Sequence, residues 1–559
     1  MLRQNWLSIY FYNTYCKINI EGVNKMKKIL VEQLDEKIEH AKELYSKEIT
    51  EFKEIGHKFL NEEITSAQFK GTSGGIGVYA QRSQKEFMIR LRVLSGVLDY
   101  KTLKLIHDFA HEYSLGFVHL TTRQAIQLHD LQFGHIIEIM KKSINNDLFT
   151  RGGGGNFPRN VSLSPLSGVE KNEAFDVTPY AILVNKYFLS QMNTYKLPRK
   201  FKVAFSNSSD DSANASIADI GFLAVKKDEN QYFKLYIGGS LGPNGDIAVP
   251  YGELISPKDI LYHIEAILSL FKEEGDYENK GKARMRFIVK RMGKEAFLEC
   301  YNKHLEKIKE TQILDFVYKN DYQVKEVNIE VTEVDKFDNN YDIIPQKQKN
   351  LYSVEIHPQG GLLKTKDLKN ILMFIEKLPD VQIRLSMEES MFIRNLTKEQ
   401  ANELLEITKN FRNTTRLNRS VSCIGVPTCQ IGIQNSQELL ANILEYFKEK
   451  GLNEDILPSI HISGCANSCA RHQVNIIGFQ GKKKRINDEI IDVYSLYLNG
   501  NTNLEDTHLA NEYGDLIESY IPEFLYELAI RIKESNLEYI KFMNSNIEEV
   551  DTLLKKYIV

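Results

Sequence analysis

The chain has 559 residues, 42 % hydrophobic and 26 % charged, with a formal net charge of -4. These proportions describe a globular chain with room for several domains and exclude a disordered one. No global excess of positive charge points to nucleic acid, so any anion site must come from local clustering of Lys and Arg.

Met1 to Lys28 holds Trp6, Ile9, Tyr10, Phe11 and Tyr12, an apolar stretch broken by Ser8 and Asn13. It is too short to span a bilayer and lacks an Ala-x-Ala-like cleavage site. Met26 is therefore read as the natural initiator and the protein as cytoplasmic. Val31 to Glu63 is dense in Glu and Lys, with Leu34, Ile38, Ala41 and Leu44 at helical spacing. This predicts a lead-in helix with a solvated charged face, part of an N-terminal arm over 1–66.

An internal repeat follows. Met88 to Leu131 can be laid without a gap on Ser353 to Leu396, an offset of 265 residues. Gly96-Val97-Leu98 falls on Gly361-Leu362-Leu363, and Leu120-Thr121 on Leu385-Ser386. Each copy carries a helical pattern between strand-like runs: Leu103, Ile106, Phe109 and Ala110 in the first, Leu368, Ile371, Leu372 and Ile375 in the second. A duplicated strand–helix–strand unit implies two halves related by a pseudo-twofold axis. The layout expected is a first repeat at 67–134, a mixed α/β domain at 142–310, a polar linker at 311–348, a second repeat at 349–410 and a second domain at 417–550.

Between the repeats lie Gly152 to Gly155, a run that reads as a flexible loop or as an anion nest open to close backbone approach. Gly238-Gly239-Ser240-Leu241-Gly242 lacks the full dinucleotide spacing. The six cysteines include four between Cys423 and Cys469, spaced C-x5-C and C-x3-C. Such clustering in a cysteine-poor chain points to metal rather than disulfides. Four thiolates suit an iron–sulfur cluster or zinc, and zinc sites favour tighter knuckles than these. Cys16 and Cys300 read as ordinary thiols.

The motifs Cys423-Ile424-Gly425-Val426-Pro427-Thr428-Cys429 and Cys465-Ala466-Asn467-Ser468-Cys469, with His461-Ile462-Ser463-Gly464 before the second, resemble the sirohaem-dependent sulfite and nitrite reductases. So do Ile89-Arg90-Leu91-Arg92, Leu120 to Gln127, and Leu197-Pro198-Arg199-Lys200-Phe201-Lys202. The resemblance runs from about Ile55 to near the C-terminus. It implies an α+β, pseudo-twofold duplicated nitrite/sulfite reductase fold, with two ferredoxin-like half-domains and two α/β domains that bind sirohaem and a 4Fe–4S cluster. It implies that Cys423, Cys429, Cys465 and Cys469 hold the cluster and that Cys469 bridges it to the sirohaem iron. Arg92, Arg159, Lys200 and Lys202 resemble the cations around the substrate. Thr121, Arg123, Gln127, Arg284, Arg286, Asn467 and Arg471 resemble cofactor contacts, with Arg291 a further candidate. His119 stands where relatives often carry Arg.

The reaction implied is six-electron reduction of sulfite to sulfide, or of nitrite to ammonia. Lys202 favours sulfite, because many nitrite reducers carry Asn there and a dianion gains more from a fourth cation. At the 265-residue offset Arg92 becomes His357 and Arg123 becomes Glu388. One anionic cofactor held asymmetrically in a pseudo-symmetric frame explains that loss. No flavin or nicotinamide domain is read here, so electrons are expected from a separate ferredoxin-like donor, with Lys482-Lys483-Lys484-Arg485 as a candidate docking strip. A monomer is expected, without nucleic-acid or membrane partners. The competing readings are a cobalamin-pathway monooxygenase of the same architecture and a non-catalytic metal-binding scaffold.

Overall fold

The structure, a computed structural model, describes residues 29–317, 342–411, 415–503 and 506–559. The proposed initiator Met26, Cys16 and the middle of the linker lie outside the described residues. Among those described, no helix is long and apolar enough to cross a membrane.

The repeat is present element for element. Strand Phe87–Leu91, helix Tyr100–Glu112, strand Phe117–Leu120, strand Ile126–Leu131 and helix Phe133–Ile144 correspond to Tyr352–Ile356, Thr365–Ile375, Gln382–Leu385, Met391–Leu396 and Lys398–Ile407. Left-handed backbone recurs at the same offset: Ser95 and Gly360, Gln124 and Glu389, Asp130 and Asn395. The two half-domains exchange an edge strand. Val97–Leu98 of the first pairs with Gln382–Leu385 of the second, and Leu362–Lys364 of the second pairs with Phe117–Leu120 of the first.

Each repeat leads into a five-stranded mixed sheet. In the first, Ser162–Leu163, Val203–Ser206 and Ile220–Lys227 run parallel, and Asn230–Ile237 and Val249–Ile255 continue antiparallel. Val421–Ser422, Ile460–Ser463, Ile477–Ile486, Glu489–Leu498 and Asn511–Ile517 reproduce that order and polarity. Apolar helices, Ile260–Glu274 on one sheet and Ile521–Ser535 on the other, bury Ile264, Leu268, Leu525 and Leu528. Loops 207–214 and 464–471 leave the carboxyl ends of parallel strands, the usual place for a ligand in such sheets.

The lead-in helix spans Val31–Leu60. Its buried stripe runs Leu34, Ile38, Ala41, Tyr45, Ile49 and Phe52, while Leu44 is 40 % exposed. The expectation that Leu44 faces inward is thus corrected: a period of 3.6 carries the stripe to Tyr45. Tyr45 Oη donates to Leu189 O at 3.2 Å, which docks the arm onto helix Thr178–Ser190.

Candidate cofactor and substrate chamber

The cysteine loops follow two adjacent parallel strands. Cys423 extends its strand, donating its N–H to Ile462 O at 3.1 Å, and its sulfur accepts from Gly464 N at 3.2 Å. Asn467 Nδ2 donates to Cys465 Sγ at 3.2 Å. Burial raises the Cys423 thiol to about 12, with Cys469 adding to the effect. Burial raises Cys429 and Cys469 as well, and the Cys469 charge is felt at Cys423 and Cys429. Cys469 is nevertheless accessible, so it opens into an interior cleft. Thiols held protonated by burial become ligands when a metal takes the proton's place. Among the described residues, no three Cys, His, Asp or Glu side chains lie close enough to hold a single metal ion.

Positive groups crowd the same cleft. Lys200 lies near Arg284, Arg159 and Cys469, and burial first, then these cations, lower it to about 7. Lys202 is lowered by burial and by Lys200, Arg123 and Arg284. Burial lowers Arg123 to about 9 and Arg159 to about 10, although Tyr79 opposes the shift at Arg159. Nε of Arg123, Arg159 and Arg284 are buried without a partner. The carboxylate beside them, Asp219, is already engaged: it accepts from Arg284 Nη2 at 3.1 Å and from the Lys202 N–H at 2.8 Å. Buried like charges with orphaned donors require an anion. A tetrapyrrole with eight carboxylates, together with an oxyanion, supplies that charge, so the residues fit the group.

The sequence candidates fall into several positions. Arg123 Nη1 and Nη2 donate to Ser162 Oγ at 2.9 Å and Asn160 O at 2.6 Å, and Thr121 Oγ1 closes the turn on Ala125 O at 3.0 Å. Gln127, with its amide turned to satisfy both neighbours, accepts from Arg90 Nε at 2.8 Å and donates to His119 Nδ1 at 3.1 Å. Arg92 is set back from the cleft, only 1 % exposed, donating to Pro158 O, Arg159 O and Asn185 Oδ1. Arg286 braces the 240–244 loop through Ser240 Oγ, Pro243 O and Asn244 O. Arg471 turns to Met387 O at 2.5 Å and to Glu388. Arg291 is a surface residue paired with Glu274.

Arg90, in the strand that leads into the predicted Arg92, is close to Cys469. Its charge acts on Cys469, Tyr79 and Arg159, and Nη1 donates to Gly153 O at 2.5 Å. Strand alternation was the available signal, since Arg90 and Arg92 share a face and only the neighbouring loop decides which one it covers. Within the glycine run, Gly154 is fixed by packing. A Cβ on Gly154 would meet Tyr79 Oη at 1.9 Å and Gly74 O at 2.2 Å, so protein packing requires its absence.

The first half repeats the cysteine cradle in hydroxyls. Ser164 N–H donates to Phe205 O at 3.1 Å and Asn207 N–H donates to Ser164 Oγ at 3.2 Å, matching the two bonds at Cys423. Asp211 and Asn214, left-handed before the turn Ala215–Ile217, match Ser468 and Arg471 before His472–Val474. Ser208 and Ser212 thereby stand for Cys465 and Cys469. Ser212 Oγ bonds to Ser164 Oγ at 2.8 Å, closing the space that the thiols leave between them.

Known families match this arrangement. The model described as Nitrite/Sulfite reductase ferredoxin-like half domain matches residues 79–143 and 344–411, and that of the Nitrite and sulphite reductase 4Fe-4S domain matches 154–309. Together they cover just over half of the chain. A ferredoxin–nitrite reductase of Synechococcus elongatus is 27 % identical, over 79 % of this chain and 86 % of that protein. A sulfite reductase [NADPH] hemoprotein beta-component of Staphylococcus epidermidis is also 27 % identical, over 81 % and 82 %. The Mycobacterium tuberculosis NirA protein shares the fold with a TM-score of 0.71, at 21 % identity, covering 84 % of this chain and 88 % of that one. With duplicated half-domains, a cation-lined cleft and a four-cysteine cradle all in place, the chain belongs to the sirohaem- and 4Fe–4S-dependent nitrite/sulfite reductases and is an oxidoreductase of that family.

Proposed function

We propose that sulfite is the preferred substrate and nitrite the second, each reduced by six electrons beside Cys469. The observation that carries this reading is Lys202: a second lysine beside Lys200, its amine held below the ordinary range by burial and by its cationic neighbours and therefore best charged against an anion, with Asp219 already held by Arg284 and by the Lys202 backbone. Sulfite, a dianion with three oxygens, gains more from that extra charge than nitrite does. The bound sirohaem and cluster supply the electron-transfer chemistry at the substrate atom. Lys202, Lys200 and Arg159 bind and orient the oxyanion oxygens. Lys200, lowered to about 7 by burial and then by Arg284, holds a proton it can release from Nζ near neutral pH. Lys202→Asn should lower kcat/KM for sulfite at least about tenfold while nitrite changes less than about threefold. Equal losses for both anions would defeat the assignment.

The electron donor is proposed to be an acidic ferredoxin-type protein, but not at the 482–485 strip. Lys482 pairs with Asp515, Lys483 with Asp492 and Lys484 with Asp515, which removes most of that strip's field. The surface over Cys429 suits a donor better. Ile431 and Ile433 are 54 % and 40 % exposed there, Arg82 Nη1 donates to Gly432 O at 3.4 Å, and Lys70 acts on the Cys429 thiol. Arg82→Glu should slow ferredoxin-driven turnover at low salt and leave turnover with a small chemical reductant intact. If both rates respond alike, the docking assignment fails.

A further inference from the structure

The turn Ser386–Ser390 is the second-repeat counterpart of Thr121–Ala125, and the two grip one loop. From the first repeat, Thr122 Oγ1 donates to Cys469 O at 2.8 Å. From the second, Met387 O accepts from Arg471 Nη1 at 2.5 Å, and Glu388 takes Arg471 Nη2 and, at 3.2 Å, His461 Nε2. His461 lies in the strand that enters the Cys465–Cys469 loop, and Arg471 leaves it in left-handed backbone. The carboxylate thus spans both ends of the segment carrying two cluster ligands. The turn itself is stiffened: Glu388 N–H donates to Ser386 Oγ at 2.9 Å, and Ser386 and Ser390 hydroxyls bond at 2.7 Å.

We propose that Glu388 is a positioning residue for Cys469, holding the loop through His461 and Arg471 and offsetting the Arg471 charge two residues from the shared sulfur. The proposal rests on Cys469 being that shared thiolate. Arg123, its repeat counterpart, faces the cation-lined cleft, whereas Glu388 lines a separate cavity of about 380 Å³ with His357, Arg419 and Asp210. Replacement of Arg by Glu at this position therefore exchanges one task for another. Interaction with Arg471, opposed by burial, holds Glu388 in its charged form well below the ordinary carboxylate range.

The physical consequence concerns the reduction potential. Reduction adds negative charge beside Cys469, and an Arg471 without its counter-charge would favour the reduced state. The test is a redox titration of purified holoprotein followed by visible absorption, with iron and tetrapyrrole content measured in each variant. Glu388→Gln should move the midpoint positive, changing the reduced-to-oxidised ratio at a fixed potential by about tenfold. That is the scale of one uncompensated charge at about 10 Å in an effective dielectric near 20. Glu388→Asp should restore most of the shift, and Glu388→Gln with Arg471→Gln should return the midpoint towards the parent value. Arg471→Gln alone should move it negative, and this variant decides the matter if Glu388→Gln purifies without cofactors. An unchanged midpoint in Glu388→Gln, or equal shifts in the single and double variants, would overturn the proposal. Parent protein whose cluster and tetrapyrrole show no coupling would instead overturn the role of Cys469 itself.

Discussion

Cys469 sits where two opposing influences meet. Burial and the neighbouring Cys465 raise its thiol, while Lys200, Lys202 and Arg90 lower it. Taken as the cluster ligand that the resemblance implies, a Cys469 thiolate would be stabilised by iron and by these neighbouring cations together. Cys469→Ser offers a harder, less polarisable ligand in the same place, so the variant is expected to lose the cluster and the coupled tetrapyrrole together. Iron content and the visible spectrum of the purified protein check this, and retention of a coupled spectrum would refute it. The surrounding glycines have a different purpose. Gly425, at φ 51°, would put a Cβ 2.7 Å from Gln434 O, and Gly464 would approach the same oxygen at 2.5 Å. Both are needed for the two cysteine loops to close over one another.

At the level of elements, the helices Ile260–Glu274 and Lys294–Thr311 bury His263 against Tyr301, with Nδ1 and the hydroxyl 2.5 Å apart. Burial lowers His263 to about 3. The native state therefore stays neutral while the unfolded chain takes up a proton below about pH 6.5. Stability on this account is full above that pH and falls by roughly 1.4 kcal/mol for each pH unit below it, until the folded group itself titrates near pH 3. Urea unfolding between pH 7.5 and 5 should show this fall, and His263→Gln should flatten it in part. An identical pH slope in the variant would remove His263 from the account.

Much of this organisation was legible in the chain. The offset linking Gly96 to Gly361 and Leu120 to Leu385 located both half-domains, because hydrophobic period and turn glycines survive duplication. The hydroxyl cradle was not legible. Ser164, Ser208 and Ser212 share no side-chain chemistry with Cys423, Cys465 and Cys469, and only the backbone bonds of Asn207 and Gly464 relate them. Arg92 and Lys482 show the other limit. Their neighbours Asn185 and Asp515 are remote in sequence, so neither the burial of the one nor the neutralisation of the other could be read from a local motif.

Across the whole molecule, the halves meet through reciprocal contacts rather than a simple face. Gln124 Nε2 donates to Leu163 O at 2.6 Å and to Leu385 O at 2.7 Å, tying the first repeat both to its own sheet and to the second repeat. Gly242 N–H donates to Gln473 Oε1 at 3.0 Å, joining the first α/β domain to the loop beyond Cys469. The cleft is assembled from both halves, with cations largely from the first and thiols from the second.

The borrowed edges at Val97–Leu98 and Leu362–Lys364 make the two halves obligate companions. Cut within 318–341 and produced singly, each piece would expose the flank from which its guest is missing, an invitation to self-association. The pieces are expected to stay soluble and acquire colour only when made in the same cell, which size-exclusion chromatography of each fragment and of the co-expressed pair can establish. Monodisperse, folded single pieces would show that the exchange is dispensable. On this view, an ancestor built from two identical chains could be fused and then specialised without ever coming apart, since neither arm of the pair could leave its neighbour while the genes diverged.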